Sequence, residues 1–498
     1  MLIPSVAGLV VVFVALLFWR GSRVVGLAVC CLVFLGLYLS GFYLIAHYYT
    51  GNGINDSVVF HILYAIDIRT ISQHWIVFLA CIVFLTFSIC LFHYLASVHI
   101  PSASKKRVAL FSSGFLCFYN AVVFLVAGFV LISHPAIQET YHVVVTEYKV
   151  SQSRKLEDEV VFVSGLVTDK PRSFIYLYAE SLEESFFDDD AYPELLPELN
   201  QLRRDALVIK GIGQAPMTEW TIAGMTASQC GIPLATFSKG RNEMGKMAHF
   251  LPEANCVGDV LSRNGYFLSY VGGADISFAG KNNFYSAHGF SDVKGYQELE
   301  LLYSKIFPKS KWGIYDDDLL SLLWNEFEVL ADLDRPFGLV GLTLDTHSPY
   351  GHETPACRNK MYQNGGSKML NSVHCADHLI SEFIKKFLSS PLSKDVILIV
   401  GSDHLMMRSD SGLLAGDRRR TNSFMVFNTL YSGQIMTRDA TMLDVAPSLL
   451  ALIGYDVKGF SLGRNLLLED PTLTELYGKE SFYEHLVAWR SSLWEYWD

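Results

Sequence analysis

Basic charge is scarce in this sequence: 39 Lys and Arg stand against 50 Asp and Glu, a net charge of −11. That balance offers no basic surface to nucleic acid and no broad electrostatic clamp to anionic lipid, so recognition is expected to be local to a pocket. Paired cysteine spacing is also missing. Cys230, Cys256, Cys357 and Cys375, the four cysteines in the polar part of the chain, contain no C-x-x-C, which argues against a zinc site built on them. No basic residue precedes the first apolar run and no small-x-small cleavage site follows it, so that run reads as a retained anchor rather than a signal peptide.

Apolar sequence, by contrast, is abundant at 51% of 498 residues, and nearly all of the excess lies before Pro135. Four runs stand out, about 2–18, 24–47, 75–98 and 108–132, and the last three reach the ~20 residues that a bilayer crossing needs. They leave no polar face for water, which disfavours buried helices of a soluble fold. Arg20 and Arg23 follow the first run, and Lys105, Lys106 and Arg107 precede the fourth, so both loops are expected in the cytoplasm. The intervening loop carries only Asp56, Asp67 and Arg69 and belongs on the other side. Four spans then export everything after Ser133. Cys30, Cys31, Cys81, Cys90 and Cys117 fall in the apolar runs as packing residues, while the other four, in an oxidising compartment, are expected to form two disulfides. Three pairings are possible; Cys230–Cys256 and Cys357–Cys375 close the shortest loops.

After a polar juxtamembrane stretch, short apolar strands alternate with amphipathic segments from Ser173 on, the pattern of an α/β domain with a mainly parallel sheet. "SFIYLYAE", "YFLSYVGG", "FGLVGLTLDTH", "DVILIVGSDH" and "SFMVFN" read as strands. Three of them run into Glu180, into Asp345 with His347, and into Asp403 with His404. Ligands of open α/β sheets sit beyond the carboxyl ends of the strands, and oxygen with imidazole donors suits manganese, magnesium or zinc. Each residue alone is a commonplace strand-end group; the set is a candidate metal site. "APMTEWTIAGMTASQCGIP" puts Thr218 at the mouth of a small-residue helix, where it serves either as a cap or as a nucleophile facing an anion-binding helix terminus.

These residues carry a family resemblance. "YAESLEESFFDDDAYPELLPELNQL", "MTEWTIAGMTASQCGIPL", "FAGKNNFYSAHGF", "KWGIYDDDLL", "LTLDTHSPYG", "VGSDHLMM" and "TMLDVAPSLLALIGY" with "SLGRNLL" resemble the alkaline phosphatase and sulfatase superfamily. Within it they are similar to the phosphoglycerol transferases that decorate osmoregulated periplasmic glucans, and more distantly to lipoteichoic acid synthase; "TGNGINDSVVF" extends the similarity into the membrane region. The resemblance implies an α-helical membrane domain (1–133), a linker (134–172), a sulfatase-like α/β catalytic domain (173–470) and a tail (471–498). It implies Thr218 as nucleophile and metal ligand, Glu180, Asp403 and His404 as the other ligands, and manganese, or else magnesium or zinc, as the ion. Thr218 is preferred over Thr221 by its distance from "GIP". His347 is implied as a phosphate contact or proton carrier, with Lys281, His288 and Trp312 as headgroup contacts.

The expected reaction moves glycerophosphate from phosphatidylglycerol to a periplasmic glycan through a covalent Thr intermediate, in an enzyme of the bacterial inner membrane whose catalytic domain is periplasmic. "MTEWT" has no C/S-x-P-S-R motif, which argues against sulfate ester hydrolysis. A phosphoethanolamine transferase, a phosphodiesterase and a non-catalytic envelope protein are the alternatives. The tail "SSLWEYWD" either packs on its own domain or rests at the membrane interface.

Overall fold

The computed structural model describes residues 2–17, 23–50, 113–141, 155–163, 168, 170–235, 249–407, 409–412 and 420–497. Two compact units divide the chain near residue 150. The first contains helices α1 (Leu2–Leu17), α2 (Arg23–Thr50) and α3 (Ser113–Ile132), packed around Val12, Val29, Val33 and Ala127. Glycines set how close these helices come. A Cβ on Gly36 would lie 2.5 Å from Leu9, and one on Gly8 2.7 Å from Val130, the small-residue contact that lets apolar helices approach. The run expected at 75–98 lies outside the described residues. Among the described residues no single helix is long and apolar enough to cross a membrane; Phe118–Ile132 with Pro135–Tyr141, bent by 54°, together reach that length and composition.

The second unit is built on an eight-stranded sheet of β1 (Ser173–Ala179), β2 (Leu207–Gly213), β3 (Phe267–Gly272), β4 (Asp292–Lys294), β5 (Phe337–Leu342), β6 (Val396–Ser402), β7 (Phe424–Phe427) and β8 (Ile435–Thr441). Its order is β4-β3-β5-β1-β6-β7-β2-β8. All neighbours are parallel except β7, which runs antiparallel to β6 and β2. The sheet is therefore mixed and mostly parallel.

Alternation along β1 explains why its sequence is apolar throughout. Phe174, Tyr176 and Tyr178 join the core on one face; Ile175, Leu177 and Ala179 join that on the other. A central strand covered on both sides has no solvent face to keep polar, and each fully buried Ile or Leu contributes roughly 1.5–3 kcal/mol. Helices α4 (Thr221–Cys230) and α9 (Val445–Leu452) supply Ile222, Met225 and Leu449 to the first core. Between them in sequence come α5 (Lys281–Ala287), α6 (Tyr296–Tyr303), α7 (Asp316–Ala331) and α8 (Lys368–Ser389). Of these, α7 and α8 cover the other face with Leu319, Phe327, Phe383 and Phe387.

Disulfides join Cys230 to Cys256 and Cys357 to Cys375. The aromatic tail is part of the second unit rather than a separate element. The Trp497 indole N–H donates to the Ala235 carbonyl at 2.7 Å, its ring lies 4.9 Å from that of Phe250, and Trp489 and Leu493 enter the core. The end of the expected linker is likewise tied in, through the Val161↔Ser461 bridge.

Candidate metal centre

Strand register assembles the centre. Because Ala179 of β1 pairs with Ser402 of β6, the next residues, Glu180 and Asp403, leave the sheet side by side, with His404 following. Donor atoms of Glu180, Asp403 and His404 all lie within 4.8 Å of one another, and all three residues are buried. His404 Nε2 is 3.4 Å from Glu180 Oε1 and 3.4 Å from Asp403 Oδ2. Its Nδ1 is 2.8 Å from the Leu405 carbonyl, a contact that holds the proton on Nδ1 and turns the Nε2 lone pair inward.

Neighbouring loops fix the carboxylates. The Ser181 N–H donates to Asp403 Oδ1 and the Ser181 hydroxyl to Glu180 Oε1, both at 2.9 Å. The Glu180 N–H is received by the Thr343 hydroxyl at 2.9 Å. Helix α4 comes down directly on the end of β6, where a Cβ on Gly224 would lie 1.8 Å from the Asp403 carbonyl oxygen. Only glycine fits there. Glu183, fully buried, receives the Arg420 Nε–H on both oxygens at 3.0 and 3.1 Å and the Met406 N–H at 3.2 Å, and so ties down the chain that follows His404.

The cluster has the chemistry of a cation site. Asp403 Oδ2 is buried and has no hydrogen-bond partner, which is costly unless a charge answers it. Burial, then the charge of Glu180, pushes the Asp403 carboxyl up to about 7. Burial works against a charged His404, yet Asp403 and Glu180 raise its pKa. Negative charge thus gathers around one point and draws a proton when no cation is held. Two carboxylates and an imidazole fit a divalent ion of some hardness.

Thr218 is fully buried and hydrogen-bonded to the backbone: its hydroxyl donates to the Ala215 carbonyl at 2.7 Å. The Thr221 hydroxyl donates to Glu180 Oε2 at 3.4 Å, beside that of Ser181 on Oε1. Trp220 is extended (φ −147°) and caps α4, so Thr221 is the first helical residue, where N–H groups are free and an anion is favoured.

The other expected contacts divide. The His347 ring lies tilted by 33° against that of Trp312 with centroids 4.0 Å apart, and its Nδ1 lies 2.8 Å from the Ser348 carbonyl. Burial, with a further push from His404, lowers its pKa to about 4, so the ring is neutral at pH 7. Lys281, the first residue of α5, is buried; burial lowers its pKa to about 8 against the pull of Glu180, Asp403 and Asp275. His288 is held elsewhere: its Nδ1 pairs with Asp259 Oδ2 at 2.8 Å, beside the Cys230–Cys256 disulfide. Asp345, which looked equivalent to Asp403 at the end of its strand, is committed to the start of α7, where Oδ2 accepts the Asp316 N–H at 2.9 Å. Ser181, Thr343 and Glu183 went unnoticed in the sequence; the E-S-L-E spacing of Glu180 to Glu183 was the available signal.

Comparison with known proteins adds family relationships. The sulfatase family model matches residues 172–455, and that of the phosphoglycerol transferase I N-terminal domain matches residues 1–153. Phosphoglycerol transferase I of Xanthomonas campestris pv. campestris is 36% identical over 71% of this chain and 50% of its own length. The Escherichia coli protein of that name is 30% identical over 96% of this chain and 61% of its own. The chain thus spans about half to three fifths of the length of these relatives. A solved structure from Vibrio parahaemolyticus, described as a protein of the alkaline phosphatase superfamily, superposes with a TM-score of 0.53 at 21% identity, covering 68% of this chain and 80% of that one.

Proposed function

This chain belongs to the sulfatase family, on its phosphoglycerol transferase I branch, and from that premise we propose that it transfers glycerophosphate from phosphatidylglycerol to a hydroxyl of a periplasmic glycan. The reaction passes through a covalent intermediate on Thr221 and releases diacylglycerol. The observation that carries the reading is the Thr221 hydroxyl, 3.4 Å from Glu180 at a helix N-terminus, beside a buried Glu–Asp–His cluster. We place the nucleophile on Thr221 rather than on the expected Thr218 because its hydroxyl is directed at Glu180, whereas that of Thr218 donates to a backbone carbonyl.

Glu180, Asp403 and His404 would hold the divalent ion, manganese by preference and otherwise magnesium or zinc. Such an ion, when bound, lowers the pKa of an adjacent hydroxyl and offsets charge on the phosphoryl oxygens. The Thr221 oxygen attacks phosphorus in line with the diacylglycerol oxygen. The P–Oγ bond forms as the P–O bond to diacylglycerol breaks, and the proton that Thr221 loses toward Glu180 Oε2 balances the one the departing alkoxide takes up from water. An acceptor hydroxyl then attacks the same phosphorus from the vacated side. Its proton goes to His347 Nε2, which carries the lone pair because Nδ1–H is committed to the Ser348 carbonyl. Thr221 leaves and takes that proton from His347, so the enzyme returns to its starting state. Lys281, charged below about pH 8, and Trp312 line the headgroup side.

The apolar first unit anchors the enzyme in the inner membrane with the second unit in the periplasm. Large exposed apolar side chains on α3, Phe118, Leu125 and Phe129, support that reading, as does the pair of disulfides in the second unit.

The test uses purified full-length protein with manganese and headgroup-labelled phosphatidylglycerol. Wild type and Thr218→Ala should release diacylglycerol and trap label on the protein, and Thr221→Ala should lose both by at least about 10³-fold. Turnover of phosphatidylethanolamine alone would keep the site and overturn the donor. Label lost in Thr218→Ala and kept in Thr221→Ala would assign the nucleophile to Thr218.

A further inference from the structure

Helix α6 ends in an unusual surface. Ser304 closes it in the left-handed region (φ +50°), and around this stop the chain exposes Leu301 at 82%, Leu302 at 59% and Ile306 at 84%. The exposure is not that of a loose loop. Phe307 is buried and its N–H donates to Glu300 Oε1 at 3.0 Å, Lys309 bridges to Ile314, and the Ile314 N–H donates to the Gly273 carbonyl at 3.0 Å. A pinned segment therefore holds three aliphatic side chains in solvent, where single scattered ones would need no explanation but a cluster does.

The same segment leads into the site. Trp312, in ring contact with His347, has the partly exposed Phe278 ring 5.9 Å away and the Lys311 ammonium 5.3 Å over its face. Residues 301–315 contain Lys305, Lys309 and Lys311 and no acidic residue, in a chain whose net charge is −11. Lys309 pairs with Glu300 and the exposed Lys305 reaches Asp318 only at 3.5 Å. Aliphatic side chains flanked by lysines, next to a Trp, form the pattern of a surface that dips into the headgroup layer.

We infer that residues 301–312 are a docking rim that seats the α/β unit on an anionic phospholipid bilayer at the mouth of the site. The inference rests on the lipid donor proposed above. A headgroup reaching His347 and Trp312 must leave its acyl chains in an apolar phase, and this rim lets the bilayer meet the mouth without extracting the lipid into water. A second protein surface would meet the aliphatics equally well, but it gives no reason for the lysines and the Trp to adjoin the headgroup pocket.

Two measurements on the full chain test it. In nanodiscs of brominated anionic phospholipid, an indole introduced by Ile306→Trp is expected to be quenched beyond the wild-type background. One introduced by Leu430→Trp, at a site 94% exposed beyond β7, should not be. Absence of the extra quenching, or equal quenching at both sites, overturns the proposal. In proteoliposomes, Leu301→Asp with Ile306→Asp should lower diacylglycerol release from bilayer phosphatidylglycerol at least tenfold and change turnover of a short-chain, monomerically dispersed phosphatidylglycerol less than twofold. Equal loss on both lipids, or no loss on the bilayer, overturns it. Loss of a wild-type dimer in the double variant, without quenching, would give the face to a second copy. If wild type turns over neither lipid, the transferase reading falls while the quenching result still decides the docking.

Discussion

Glu180 with Asp403, and Asp316 with Asp345, are two buried carboxylate pairs beyond the carboxyl ends of adjacent strands, and they differ in what answers their charge. Asp316 accepts the Leu344 and Asp345 N–H groups at 2.7 and 3.0 Å, while Asp345 accepts that of Asp316 at 2.9 Å. The α7 dipole adds to those three donors. Burial first, and then nearby negative charge, raises both carboxyls, so this pair holds a proton at neutral pH. Glu180 and Asp403 also receive three donors, one N–H and two hydroxyls. Each pair keeps one buried oxygen without a hydrogen bond, Asp345 Oδ1 and Asp403 Oδ2. What sets Glu180 with Asp403 apart is His404, whose Nε2 lies 3.4 Å from both of these carboxylates. A pair closed by backbone is architecture; a pair left open toward an imidazole is a place for a cation.

The largest effect should come from neutralising one member of each pair. Asp403→Asn is expected to cost about 10³-fold or more in diacylglycerol release and to abolish the rise in melting temperature with manganese, which for wild type amounts to about 2.7 kcal/mol at one hundred times Kd. Asp345→Asn should keep that rise, because its Oδ2 role is open to an amide oxygen. Equal loss of manganese stabilisation in both variants would break the distinction. Next in size is Gly224→Ala. Its Cβ would meet the Asp403 carbonyl, so α4 must shift at a cost of about 1–3 kcal/mol, read by denaturant unfolding, with Thr221 carried away from Glu180 and activity lost with it.

How much of this was legible beforehand follows from burial. β1, β3, β5, β6 and β7 announce themselves as apolar runs because they are covered strands. β2 and β8 do not: "IMTRDAT" on the sheet edge alternates exposed and half-buried residues over most of its length, and a Lys interrupts "LVIKGIG". Glu180, Asp403 and His404 were readable as residues that end strands. Asp345 has the same signature, and only its partner Asp316, 29 residues earlier in the chain, changes its meaning. Thr218 and Thr221 stand three residues apart before one helix, and the choice between them depends on where α4 starts, which Trp220 decides by its extended backbone. Part of the family signature is scaffold. In "TMLDVAPSLL", Asp444 accepts the Thr441 and Arg464 N–H groups, both at 2.8 Å, and so anchors "SLGRNLL".

The closed pair should also show itself in pH. Carboxyls raised in the folded state bind protons that the unfolded chain has already released, so stability falls as pH rises from about 4 through the Asp316 value of about 7 and on to the Asp345 value of about 10. Asp345→Asn should flatten that slope in urea unfolding series; an unchanged slope would mean that the proton is not shared there.

The smallest effect, and the sharpest probe of the open pair, concerns Lys281. Burial lowers its pKa to about 8, while Glu180 and Asp403 oppose the fall. Its charge is present below that value and lost above it, so if the ammonium holds the phosphate, turnover should drop a few-fold as pH rises through 8. Stability moves the other way. A lysine whose folded pKa lies below the unfolded ~10.4 binds fewer protons when folded across that interval, so folding gains as pH climbs from 8 toward 10.4. Measured in the Asp345→Asn background, which removes the competing slope, activity and stability should diverge over the same range, and Lys281→Met should abolish both trends. Manganese on Glu180 and Asp403 would cancel the charge that supports the ammonium, so the activity midpoint should fall below its metal-free counterpart by stability titration. A midpoint indifferent to manganese would separate Lys281 from the open pair and leave it a buried structural amine.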